Sequence, residues 1–214
     1  MDVTWYGHAC FRLRGRRTTV VTDPYPPSLG AKLPRLDAQL VTISHPSENH
    51  SFAGGLPDDA YVVAGPGEYE VAEVQVQGLD TLQGTPDGGP PRHNTIYVIE
   101  IDDVRVCHLG DLGRIPDERL EERIGDVDLL LLPVGGGTAL DATNAAEVVR
   151  QIEPRYVVPM HYALPRLKVQ LDPLDRFVQE MGITVVEPQP KVTVQSTSSA
   201  ESEIKVVILE PRLG

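Results

Sequence analysis

The chain has 214 residues, 41% hydrophobic and 23% charged, the composition of a folded protein with one sizeable core, and it reads as a single domain over residues 1–214. Its net charge of -12 repels phosphate backbones, and no run is apolar for long enough to cross a bilayer, so nucleic-acid and membrane partners are both excluded. Two cysteines, Cys10 and Cys107, give no disulfide framework, and MDVTWYGH has no secretory character, which together point to a reducing cytoplasm.

Taken in order, the first half is a series of short strand-like runs: DVTWY, ACFRLR, TTVVT, LVTIS, YVVAG, EVQVQ, TIYVIEI and VRVCHL. Gly, Pro and Asp turns separate them, and Asp102–Asp103 reads as a hairpin turn. The one basic run, Arg12 to Arg17, reads as the solvated tip of a hairpin around Gly15. In GPGEYEV, Gly65 and Gly67 make a tight turn that would aim Glu68 or Tyr69 toward a loop-built site.

After residue 115 the pattern becomes helix and strand in alternation. PDERLEERI is a helix begun by Pro116, DLLLLPV a buried strand, and ATNAAEVVRQI a helix capped by Asp141 or Thr143. YVVPM is a strand, a helix runs from Asp172 through Met181, and ITVVE and IKVVIL are the last strands, with a polar loop from Val194 to Glu203 between them. Strands first and βαβα later give two packed sheets with helices outside.

Five of the six histidines fall at predicted strand ends or the loops that follow: His8, His45, His50, His108 and His161. Any one of them reads more simply as a hydrogen-bonded structural histidine. Together they form a constellation, because loops at strand ends converge side chains on one rigidly held point. His93 has no such context and is expected in solvent. Asp111 follows a strand between two glycines that let the backbone turn sharply, and Asp23 closes VVTDP. An acid bonded to a histidine's second nitrogen fixes its tautomer, so Asp23 suits an outer-shell role; a turn-capping aspartate is the equal alternative.

Other nucleophile readings are weak. Cys107 and His108 are adjacent on a strand and point to opposite faces, and no Gly-x-Ser-x-Gly elbow occurs. PVGGGT, Pro133 to Thr138, lacks the P-loop lysine and reads as a flexible βα turn.

WYGHACF, VVTDP, TISHPSENH, GPGEYEV, NTIYVIE, HLGDLG, LLLPVGG and VVPMHY together resemble the metallo-β-lactamase superfamily, over nearly the whole chain and in the right order. They are most similar to small bacterial Zn-dependent hydrolase-like proteins related to ascorbate-phosphate lactonase. The resemblance implies an α/β, four-layer αββα sandwich. It also implies a His-x-His-x-Asp-His ligand motif, followed downstream by a histidine, a bridging aspartate and a last histidine. On this sequence His45 and His50 take the outer motif positions, Ser47 and Asn49 replace the middle histidine and the aspartate, Asp111 is the bridge and His161 the last histidine. The remaining histidine is missing near Leu82 or Gln83.

In the family pattern three histidines hold the first metal, and the motif aspartate, His50 and His161 hold the second. His45, His50, Asp111 and His161 would therefore suffice for one ion, with Zn²⁺ the type that suits imidazole and carboxylate. Asp111 would orient or deprotonate water, and His8 and His108 would line the pocket as donors to developing negative charge. Two readings stay open. One is a hydrolase with a reduced, mononuclear zinc site acting on an ester, lactone or phosphoester of a small metabolite. The other is a non-catalytic binding or assembly module that has lost most of its metal site and binds metal poorly or not at all, and a homo-oligomer is left open in both.

Overall fold

The early strand-like runs and the later alternation sort into two mixed sheets. The computed structural model describes residues 1–52, 54–85, 88–184, 187–196 and 203–214. The strands are β1 (Asp2–Trp5), β2 (Phe11–Arg14), β3 (Thr19–Thr22), β4 (Leu40–Ile43), β5 (Tyr61–Ala64), β6 (Gly67–Val71), β7 (Val74–Leu82), β8 (His93–Ile101), β9 (Val104–His108), β10 (Leu129–Pro133), β11 (Tyr156–Met160), β12 (Val192–Thr193) and β13 (Lys205–Val206). The helices are α1 (Glu118–Ile124), α2 (Ala142–Ile152) and α3 (Leu174–Glu180).

One sheet runs β12-β1-β2-β3-β4-β5 and the other β13-β11-β10-β9-β8-β7-β6. Successive side chains on a strand point to opposite faces, so each inner strand serves two layers. Val3, Trp5, Phe11, Leu13 and Leu40 from the first sheet share a buried cluster with Leu79, Ile96, Val106 and Val158 from the second. This is the core between the sheets. Strands β9, β10 and β11 run parallel, and β10 is buried along its whole length, as a strand covered on both faces must be.

Helices α1 and α2 are the crossovers between these parallel strands and cover the outer face of the seven-stranded sheet. Asp117 caps α1 by accepting from Leu120 N at 2.9 Å, and Asp141 caps α2 by accepting from Asn144 N at 2.9 Å. Thr143 sits inside α2 and bonds Glu180 instead. On the other side of the sandwich Cys10, Val21 and Val41 face away from the common core and pack on Tyr25, Leu29 and Leu36. Around a single 3-10 turn, Pro27–Leu29, this layer is irregular. Pro24, Pro26, Pro27 and Pro34 remove the donors a helix would need.

Several boundaries differ from the expectations. The helix expected from Asp172 begins at Leu174, because Pro173 forces an extended backbone before it. β7 runs on past EVQVQ to Leu82, through Gly78, where a Cβ would lie 2.6 Å from Gly65 O. A glycine inside a strand here marks a close backbone approach. GEYEV is strand β6 at the edge of the second sheet. Of ITVVE, Ile183 and Thr184 are outside any strand, and residues 185 and 186 lie outside the described residues, as does the 197–202 part of the polar loop. IKVVIL shortens to β13, with Leu209 making an isolated bridge to Gln189. No helix among the described residues is long and apolar enough to cross a membrane.

Candidate metal centre

Five strand ends meet at one point. His8 follows β1, Asp23 follows β3, His45 follows β4, Asp111 follows β9 and His161 follows β11. His8, Asp23 and His161 have positive φ values of 52°, 38° and 53°. Non-glycine residues in this region are uncommon and persist where the surroundings impose them. At His8 the surroundings are visible: its carbonyl accepts from Trp5 Nε1 and from His161 N, both at 3.1 Å, tying the two histidine loops together.

The Asp111 turn is held from below. Asn94, fully buried, accepts from Asp111 N at 2.9 Å and donates to Leu109 O at 3.0 Å and to Thr81 Oγ1 at 2.9 Å. Gly110 is required, since a Cβ there would sit 2.5 Å from Asn94 Oδ1 and from Ser44 Oγ. Thr138, in the glycine-rich turn after β10, donates to Asp111 Oδ2 at 3.1 Å. The PVGGGT turn therefore steadies the acid, a role the sequence did not reveal.

Three imidazole nitrogens converge on this carboxylate. His45 Nε2 lies 3.3 Å from Asp111 Oδ2, and His50 Nε2 and His161 Nε2 lie 3.5 and 3.2 Å from Oδ1. A tetrahedral ion with ligand bonds near 2.0–2.1 Å separates its ligand atoms by about 3.3 Å. Each nitrogen thus stands about one ligand-to-ligand edge from the carboxylate, and ligand atoms of His45, His50 and Asp111 lie within 4.8 Å of one another. His45 Nε2, Asp111 Oδ1, His8 Nδ1 and His161 Nδ1 are buried without hydrogen-bond partners, which is unusual for polar atoms in an interior. Donor chemistry, spacing and orphaned atoms all fit a divalent cation.

Asp23 does both things the sequence allowed. Its Oδ1 accepts from Ser44 N at 2.7 Å, capping the turn after β4, and its Oδ2 lies 2.8 Å from His50 Nδ1. That contact places the proton on Nδ1 and turns the Nε2 lone pair into the site. Burial alone would raise the Asp23 carboxyl, but His50 outweighs it and holds the group below its ordinary range. Asp111 is likewise buried, yet His161, His50 and His45 keep it well below. Burial lowers His50, and Asp111 and Asp23 more than restore it. His161 is lowered, chiefly by burial, and His8 is well below its ordinary value through burial and the neighbouring His50 and His161.

His8, His45, His50, Asp111 and His161 line a cavity of about 670 Å³, with Asp23 behind them. Ser47, Asn49 and Gln83 all line it, so the positions that depart from the family motif do face the site; Leu82 does not. His108 requires a correction. It is fully buried, its Nε2 is bonded to Ala9 O at 3.0 Å, and it is not in the cavity wall, so the donor role expected for it falls away. Glu68 and Tyr69 also lie elsewhere: edge strand β6 turns them toward a separate groove, and Tyr69 bonds back to Gly65 O and Pro66 O. Sequence reasoning missed the rim. Arg92 and His93, both exposed, also line the cavity, as do Val169, Gln170 and Leu171 from a loop with no strand-end signal.

Comparison with known proteins agrees with this geometry. A family model described as a β-lactamase superfamily domain matches residues 2–161. The chain belongs to the metallo-β-lactamase superfamily. A UPF0173 protein of Pyrococcus furiosus is 32% identical over 184 residues, covering 76% of this chain and 83% of its own. A UPF0173 metal-dependent hydrolase of Thermococcus onnurineus is 31% identical over 190 residues, covering 76% and 84%. Among solved structures, a Thermotoga maritima protein assigned as a Zn-dependent hydrolase of the superfamily superposes with a TM-score of 0.78 at 32% identity, covering 98% of this chain and 99% of that one. A metallo hydrolase of Ignicoccus hospitalis, at 21% identity and a TM-score of 0.68, shares the fold over 92% of this chain and 99% of its own.

Proposed function

We propose that this chain is a metal-dependent hydrolase that works with one divalent cation instead of two. The observation that carries the reading is the position of His50. Two ligand groups can be drawn, His45–His50–Asp111 and His8–His50–His161, and both need His50. Its Nδ1 is committed to Asp23, so a single Nε2 lone pair serves both, and one nitrogen binds one ion. The neutral side chains of Ser47 and Gln83 point the same way, since they offer the first half of a dinuclear centre no imidazole.

His45, His50, Asp111 and His161 would hold the ion, and Zn²⁺ suits three imidazoles and a carboxylate. When bound, it would polarise a carbonyl or phosphoryl oxygen and acidify a water. The chain's own residues do the rest. Asp111 is kept ionised by its three imidazoles and Thr138 Oγ1 fixes its Oδ2, so the carboxylate would hold the ion and orient a water beside it. Asn49 has no basicity to contribute. The cavity volume suits a small metabolite, and an ester, lactone or phosphoester bond is the reading the superfamily supports; kinship with ascorbate-phosphate lactonase rests on motif likeness alone.

Ser47, Asn49 and Gln83 also favour a second reading, a binding module that has lost its metal. Elemental analysis of untagged protein, purified without added metal, separates the two. About one ion per chain, lost in His50→Ala and His161→Ala, supports the mononuclear hydrolase, whereas two ions per chain refute it. No uptake even after incubation with excess Zn²⁺ supports the binding module. The triple variant Ser47→His/Asn49→Asp/Gln83→His then reports whether the family's second ion returns.

A further inference from the structure

We infer that His8 is itself a metal ligand, supplying the coordination that Asn49 can no longer provide. The inference rests on the mononuclear reading above and says where in the site the ion is held. His8 is 2% exposed, its Nδ1 is buried without a partner, and its ring faces the cavity. Its ring centroid lies 4.5 Å from that of His50 and 4.6 Å from that of His161, and ligand nitrogens of the three lie within 4.8 Å of one another.

Two of these three residues are the ones the superfamily pattern gives to its second metal. The third ligand in that pattern is the motif carboxylate, and Asn49 stands in its place. His8 therefore takes the place that carboxylate leaves beside His50 and His161, in addition to Asp111, which reaches the same two rings at 3.5 and 3.2 Å. The backbone keeps it there: the left-handed conformation at φ 52° and the bond from His161 N to His8 O fix the two rings relative to each other. His108 Nδ1 is also without a hydrogen bond, but it lies outside the cavity; of the two, only His8 combines that free nitrogen with a costly backbone conformation and two ligand imidazoles beside it, which fits a cation better than packing. Exchanging a carboxylate for an imidazole also leaves the bound ion one unit more positive than in the family pattern.

The test is a double-mutant cycle on metal affinity, read by chelator competition with Zn²⁺ and by the visible bands of Co²⁺, with no substrate needed. His8→Asn suits the left-handed backbone, and His8→Ala is the second variant. Circular dichroism in the presence of chelator checks that each is folded. His8→Asn should weaken binding by at least about tenfold, as loss of a supporting ligand group does, and shift the Co²⁺ bands. Asn49→Asp should tighten binding and make it insensitive to His8→Asn. Wild-type affinity and an unchanged Co²⁺ spectrum in both His8 variants would overturn the inference while leaving the mononuclear reading intact. Equal losses with and without Asn49→Asp would overturn it too. A wild-type chain that takes up no ion would overturn both.

Discussion

Asp23→Asn isolates the control that one buried carboxylate exerts over His50. The replacement keeps the shape, and Asp23 is fully buried with each oxygen in use, at 2.7 Å from Ser44 N and 2.8 Å from His50 Nδ1. An amide has one acceptor and one donor end, so it has two options. With its oxygen toward His50, the NH₂ faces Ser44 N–H and two buried donors oppose each other, which costs about 1–3 kcal/mol. With its oxygen toward Ser44, the NH₂ donates to His50 Nδ1 and the imidazole proton moves to Nε2, where the ion would bind. The second option satisfies every group, so the variant should fold with stability within about 1 kcal/mol of wild type. Metal affinity should fall about 10- to 100-fold, or about 1.4–2.7 kcal/mol, the range for removing a partner that orients a metal-binding histidine. Chelator competition measures the affinity, and urea denaturation of the metal-free protein measures the stability. Unchanged affinity in a folded variant would refute the tautomer argument.

Gly135→Ala should act on His161 from behind: a Cβ would lie 2.2 Å from His161 O and 2.8 Å from Tyr162 Cα, so backbone must shift. A loss of about 1–3 kcal/mol by denaturation, together with weaker metal uptake, is expected. Leu131→Ala, in the fully buried middle of β10, should lower stability by about 2–5 kcal/mol without touching a candidate ligand. pH gives a signed prediction for the metal-free protein. His8, His108 and His161 are all held below the ordinary 6.5, so the unfolded chain binds their protons first and their stabilising effect is lost as pH falls below it. His50 is raised, so its contribution is present below 6.5 and lost as pH rises through its folded value. Three groups oppose one, and the thermal midpoint in chelator should drop between about pH 7.5 and about pH 5.5. A rise over that interval would contradict the burial of those three rings.

Much of this was legible because the informative residues lie at element boundaries. α2 and β11 emerge with the bounds read from the sequence, since Asp141 signals a cap and YVVPM is an unbroken apolar run between turns. β7 was cut short because Gly78 and Asp80 break the alternation, and only the approach of Gly65 explains why a glycine belongs there. In the site, placement at strand ends brought the histidines forward and the family resemblance grouped His45, His50 and His161 with Asp111; their ring nitrogens lie 3.2 to 3.5 Å from its carboxylate. Placement alone could not separate His8 from His108, because both lie at or just past a strand end. What differs is where each ring stands: Nδ1 of both is without a hydrogen bond, but His108 is tied through Nε2 to Ala9 O outside the cavity, whereas His8 lines it. Arg92 and His93 were invisible for the same reason, since a rim is defined by what lies across it.

The closing strands of the chain have a consequence for assembly. β12 pairs with β1 and β13 with β11, so a short carboxyl-terminal stretch covers one border of each sheet. Arg212 N then bonds Trp5 O at 2.9 Å, beside the loop that carries His8. Removing that stretch would bare two rows of unpaired backbone amides and carbonyls at once, each a template for another chain. A truncated protein should self-associate before it loses its core, and it would also lose the tail beyond β13 that, through Arg212, braces the end of β1 ahead of His8.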